Sequence, residues 1–313
     1  MKRLFFLTLT ALCVTLATAQ RTTIVPQEVT AEMHEKAISY NDKADHGTIL
    51  YTWYYSKALG ANRRMAVYLP PSYFKSNNNY YPVLYLLHGT FGDETDWFQK
   101  GHAANIIDNL IASNQAKEMI VVMPNTNMWQ LASDDATNLQ LQINDMQEAT
   151  RQLTTGKFEE SFSEIISATE LRFRTITRKN SRAIAGLSRG GFFAMHISHY
   201  LNSVFDYVGL FSPTYTIDFG NAGNPGPLFD AVSKETPRVY RNVEKDMKRQ
   251  FATPPALYWI AIGKDDFLYR ENVEFRAFLE DRAYPYQYFE SAGGHSWENW
   301  QYYLQMFLPC IFK

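Results

Sequence analysis

One combination of residues in this 313-residue chain could carry out covalent acyl chemistry. Gly186-Leu187-Ser188-Arg189-Gly190 has the form G-x-S-x-G, which places a serine between small neighbours at the end of the apolar run "RAIAGL". A serine hydroxyl attacks a carbonyl only when a base removes its proton. Of the seven histidines, His295 is best placed for that work, because it lies in the glycine loop "SAGGHSWENW" between a strand-like run and a short helix. A carboxylate must then orient the imidazole and stabilise its charged form. "YWIAIGKDDFLY" offers Asp265 and Asp266 at the end of another apolar run, and spacing alone leaves both open. The chain order of serine, acid, histidine is one of the known orders for such a triad.

These groups need a scaffold that brings distant loops to one edge. "PVLYLLHG", "EMIVVMPN", "RAIAGLS", "YVGLFSP" and "LYWIAIGKDD" are short continuous apolar runs, the pattern of strands covered on both faces. "AANIIDNLIAS", "FEESFSEIISATELRF", "GGFFAMHISHYL" and "ENVEFRAFLEDR" carry helical periodicity between them. Alternation of this kind predicts an α/β fold, a mainly parallel central sheet with helices on both faces. "TILYTWYYS" and "RRMAVYLPPSY", joined by "KALGAN", predict a hairpin ahead of it. A G-x-S-x-G turn from strand to helix would display Ser188 at the carboxyl edge, with the helix N-terminus favouring developing negative charge. Two backbone N–H groups should hold that charge, those of Arg189 and of Thr90 in "HGTFGDETDW". His88 is placed to brace this loop. The long connections at 125–157 and 212–227 are expected to form the rim of a pocket.

Composition excludes several other functions. Net charge is −2, so nothing suggests nucleic acid as a partner. His196 and His199 lie one helical turn apart without the H-E-x-x-H pattern, and neither a metal nor an organic cofactor is expected. Residues 1–19 have the basic start, apolar middle and Ala-Thr-Ala ending of a signal peptide, which predicts an exported protein, periplasmic or secreted, cleaved near Ala19. Cys310 is then the only cysteine left, so no internal disulfide can form. No later segment is apolar for long enough to span a bilayer. Residues 20–46 are expected to be an arm lying against the body, and 47–313 a single catalytic domain.

The blocks "YLLHGTFGDETDW", "GKFEESFSEII", "RAIAGLSRGGFFAM", "IGKDDFLYREN" and "GGHSWENW" together resemble the esterase branch of the α/β-hydrolases. That branch holds feruloyl and acetyl xylan esterases of carbohydrate esterase family one, S-formylglutathione hydrolases, enterochelin-type esterases and mycolyltransferases. The resemblance implies the α/β-hydrolase fold, Ser188 as nucleophile, His295 as base, and Thr90 and Arg189 as oxyanion donors. Its G-x-x-D pattern puts the acid at Asp266. It also implies an ester substrate, best matched by acetyl or feruloyl groups on plant xylan. Trp129, Tyr215 and Trp297 are candidates for an aromatic sugar or phenol platform, and equally for packing. Arg189 is a departure, since the family commonly has methionine there. Its guanidinium could pair with a carboxylate, hold an anionic substrate or hinder an apolar one. A siderophore esterase, an acyltransferase and a non-catalytic binding protein are the alternative readings.

Overall fold

The structure, a computed structural model, describes residues 31–127, 155–217, 229, 234 and 236–313. The apolar runs become the strands of one eight-stranded sheet, in the order β1-β2-β4-β3-β5-β6-β7-β8. β1 (Thr48–Ser56) and β2 (Ala61–Leu69) form the hairpin at one edge, and β2 also runs antiparallel to β4 (Ile120–Pro124). β3 (Val83–Leu87), β4, β5 (Arg182–Leu187), β6 (Tyr207–Phe211), β7 (Leu257–Gly263) and β8 (Gln287–Ser291) are mutually parallel. Every residue of β3, β4, β6 and β7 is buried, as continuous apolar runs require when both faces are covered.

The covering helices divide into two layers. α2 (Asp96–Gln99), α3 (Ala103–Ala112) and α10 (Trp297–Phe307) cover one face, where Trp97, Ile106 and Phe307 pack against Leu84, Ala185 and Trp259. α1 (Ala31–Ile38) lies outside α3 and is tied to it by Asn105 and Asn109, whose side-chain amides donate to the Ile38 and Ala37 carbonyls. Part of the polar arm is therefore a docked helix.

The other face is covered by α4 (Lys157–Glu160), α5 (Phe162–Arg172), α6 (Arg189–Tyr200), α7 (Arg238–Arg241), α8 (Val243–Ala252) and α9 (Tyr269–Asp281). The run expected as one helix over 158–173 is divided at Ser161, which stands at the N-cap position of the second piece without a side-chain capping bond. This is the α/β-hydrolase fold. Because β3 to β8 are parallel, their following loops all leave one edge of the sheet, and the candidate residues sit there. Residues 1–30, with the expected signal peptide, and most of the 125–157 connection lie outside the described residues.

Candidate active site

Ser188 occupies the turn between β5 and α6 with φ 54° and ψ −121°, a left-handed conformation that costs a non-glycine residue about 1–3 kcal/mol. The turn is held in that shape by its surroundings. Ser188 N–H donates to the Phe211 carbonyl of β6 at 2.8 Å, while its hydroxyl makes no cap bond to the helix it begins. The glycines allow the close approach this needs. A Cβ on Gly186 would lie 2.4 Å from the Gly190 carbonyl, and one on Gly190 would lie 2.4 Å from the His88 carbonyl oxygen. Backbone cannot yield as a flexible side chain can. Gly190→Ala is therefore expected to cost about 3 kcal/mol or more of stability, read from the denaturant midpoint.

The carboxylate and the imidazole meet across two loops. Asp266 follows β7, and its side chain is fully buried. Its Oδ1 accepts the Leu268 N–H at 2.9 Å, which fixes the carboxylate plane. His295 Nδ1 lies 2.9 Å from Oδ2 and 3.1 Å from Oδ1. A carboxylate can only accept, so Nδ1 carries the proton and Nε2 is left as the basic atom. The imidazole is held on both sides by rings, Phe267 at 4.7 Å and Trp300 edge-on at 4.8 Å. Asp265 takes a different role: its side chain is exposed, and its backbone N–H donates to Gly293 O, joining the two loops.

The loop after β3 is fixed by His88. Thr126 N–H donates to its Nε2 at 2.9 Å, so the ring proton is on Nδ1, which donates to Gly89 O at 2.8 Å. In a trans peptide the carbonyl and the next N–H point in opposite directions. Holding Gly89 O therefore fixes the direction of the Thr90 N–H, one of the two candidate oxyanion donors. Glu94 secures the far side of the loop, ion-paired with Arg64 at 2.7 Å and accepting from the Asn125 side-chain amide at 2.7 Å. Thr90 Oγ1 is buried with no hydrogen-bond partner among the described residues. Glu94, Asn125, Phe267 and Trp300 had no sequence signal, because their contacts join separate loops.

The remaining candidates fall elsewhere. The Arg189 side chain is fully buried, donates to the carbonyls of Thr216 at 3.1 Å and Ile217 at 3.0 Å, and lies over the Phe192 ring. Of the three readings open to its guanidinium, none is what these bonds show: it ties the segment after β6 to α6. Tyr215 as a platform is corrected: it is buried, with its ring 4.0 Å from Phe275 and stacked on it, and its hydroxyl donates to Asn272. It is core and offers no face to a ligand. Trp297 is half-buried, edge-on to Trp97 and Trp300. Trp129 lies outside the described residues.

Beneath the elbow is a buried polar cluster with a consequence for pH. Burial pushes the Glu159 carboxyl up to about 7, against the pull of its bond from the Tyr240 hydroxyl. Burial pushes the His88, His196 and His199 imidazoles down, and His196 Nδ1 lies 3.1 Å from His199 Nε2. Glu159 therefore favours the folded state below its ordinary value of 4.5, and that contribution is lost as pH rises to about 7. The histidines work in the opposite sense: their contribution is present above 6.5 and lost as pH falls. Three imidazoles outweigh one carboxyl between those values. Stability is expected to rise by about 1 to 3 kcal/mol per pH unit from pH 5 to 6.5, with a shallower slope in His199→Gln. Denaturant midpoints at the two pH values check this.

The family described as "Putative esterase" matches residues 56–309. An endo-1,4-beta-xylanase/feruloyl esterase of Xylanibacter ruminicola is 34% identical over 180 residues, covering 56% of this chain and 23% of that protein. This chain thus spans less than a quarter of that relative. An acetyl esterase of Caldicellulosiruptor saccharolyticus is 26% identical over 276 residues, covering 80% of this chain and 93% of the relative. Among solved structures, the CE1 ferulic acid esterase of the anaerobic fungus Anaeromyces mucronatus shares the fold, with a TM-score of 0.68, 22% identity and coverage of 88% and 95% of the two chains. Among the described residues no helix is long and apolar enough to cross a membrane.

Proposed function

The chain belongs to the esterase family matched over residues 56–309, and from that premise we propose that it is an exported serine esterase that removes feruloyl or acetyl groups from plant xylan. The observation that carries the mechanism is the pair of buried Asp266 and part-buried His295 at the sheet edge where the strained turn holds Ser188. His295 Nε2 takes the Ser188 proton as the hydroxyl attacks the ester carbonyl. The Thr90 and Arg189 N–H groups hold the oxyanion. The imidazolium gives its proton to the departing sugar alcohol, and water then deacylates the serine by the same route.

Two exposed rings support an aromatic acyl group. Phe267 lies against His295, and Phe91 is exposed next in sequence to Thr90. The relative named as a xylanase/feruloyl esterase points the same way, and the one named as an acetyl esterase supports the acetyl alternative. With Arg189 buried, an anionic siderophore substrate loses the one residue that favoured it. The test is a panel of aryl acetate, methyl ferulate and acetylated xylan, run beside Ser188→Ala. Release of acid by the native chain, absent in the variant, is the expected result. Inactivity on the whole panel with an intact fold would overturn the reading.

A further inference from the structure

The outer strand β1 carries a row of aromatic rings that the core does not use. Tyr51, Trp53 and Tyr55 are 50 to 60% exposed, whereas Tyr54 between them is buried. Side chains alternate along a strand, so these three share one face and span about 13 Å. Their cross-strand partners on β2 are Ala66, Arg64 and Asn62. The face is therefore made of phenol, indole, guanidinium and amide groups, with no exposed aliphatic residue. Such rings offer a flat apolar surface with a hydrogen-bonding group at the edge, which matches the mixed character of a sugar ring.

The row leads towards the candidate active site. β2 pairs with β4 only from Met65 onward, opposite Pro124 at the strand's end. The tip of the hairpin, with Trp53 and Tyr55, thus rises past the carboxyl edge of the sheet. Arg64, opposite Trp53, bonds Glu94 in the loop that carries Thr90. The Tyr51 phenol is pushed up by burial and further by the charges of Glu94 and Asp93, which belong to the same loop. Phe91 is exposed on that loop. β1 stands four strands from β5, about 19 Å at ordinary strand spacing, so a chain of several sugars could touch both.

We propose that Tyr51, Trp53 and Tyr55 form a polysaccharide-binding track that holds the xylan main chain while one of its ester groups occupies the active site. The occupant rests on the xylan reading of the site given above. A second copy of this chain fits the face less well. Strand addition would need the outward carbonyls of β1, and Arg172 already occupies one of them, Trp53 O, while also bonding Thr52 Oγ1, with its guanidinium 5.5 Å from the Trp53 ring.

The test is binding to insoluble arabinoxylan, measured on the Ser188→Ala chain so that no ester is consumed. Tyr51→Ser/Trp53→Ser/Tyr55→Ser in that background is expected to weaken binding about tenfold. Trp53→Ala alone should give a smaller loss in the same direction, and circular dichroism reports folding for both. In the active chain, release from feruloylated arabinoxylan should fall about tenfold more than release from methyl ferulate. Equal binding by the Ser188→Ala chain and its triple variant, or no binding by the Ser188→Ala chain, would overturn the track. So would a native dimer in sedimentation that the triple variant abolishes, since the face would then be an interface between copies. Ring-dependent binding without turnover of any ester would sustain the track while the esterase reading fails.

Discussion

Ser188→Ala is expected to lower kcat/KM for every ester the chain turns over by about four to six orders of magnitude. The size follows from losing covalent catalysis altogether: without the hydroxyl, His295 has no nucleophile to activate, and only binding and the oxyanion donors remain. The fold should be indifferent to the change. The hydroxyl makes no capping bond, the backbone N–H to Phe211 O survives in alanine, and both residues suffer the same penalty at φ 54°. Thermal midpoints of native and variant chains should therefore agree within a few degrees. A variant that keeps more than about one per cent of native turnover would exclude Ser188 as nucleophile. A fluorophosphonate probe should label the native chain at Ser188 and leave the variant unlabelled.

Asp266→Asn is expected to cost about three to four orders of magnitude in kcat, with a smaller change in KM. Both carboxylate oxygens lie within 3.1 Å of His295 Nδ1, and Oδ1 also accepts the Leu268 N–H. An amide here presents one acceptor and one NH2. With its oxygen kept on Leu268, the NH2 faces Nδ1 and drives the ring proton to Nε2, where it blocks attack by the serine. Asp265→Asn is the control, since its carboxylate is exposed and only its backbone N–H joins the His295 loop. Its turnover should stay within about a factor of two of native. Equal losses in the two variants would mean that the acid has been misplaced.

The two carboxylates show how far residue types and spacing can reach. Neighbours in sequence, Asp265 and Asp266 are separated only by the turn after β7, which buries one and exposes the other. That turn is closed by contacts with the Gly293 loop, which come from a distant part of the chain. The G-x-x-D resemblance chose between them; spacing could not. Arg189 is a similar case: its backbone position follows from the elbow motif, but the course of its side chain depends on Thr216 and Ile217, which reach it only after β6 has paired. The sequence leaves Tyr215 open to a platform or to packing. Its burial depends on where α9 packs, and no local pattern reports that.

By itself the sequence determined the alternation of buried strands and amphipathic helices, the strand-to-helix turn bearing Ser188 and the glycine loop bearing His295. These are local properties, written in apolar periodicity and in glycines that allow backbone to approach backbone. Only the tertiary structure decided which side chains face each other across loops: His295 with Asp266, His88 with Gly89, Arg189 with the segment after β6. It also decided that Tyr51, Trp53 and Tyr55 point outward while Tyr54 points in, because a one-residue shift in the register with β2 would exchange the two faces. Local sequence sets which conformations are cheap, whereas side-chain direction is settled by packing between segments far apart in the chain.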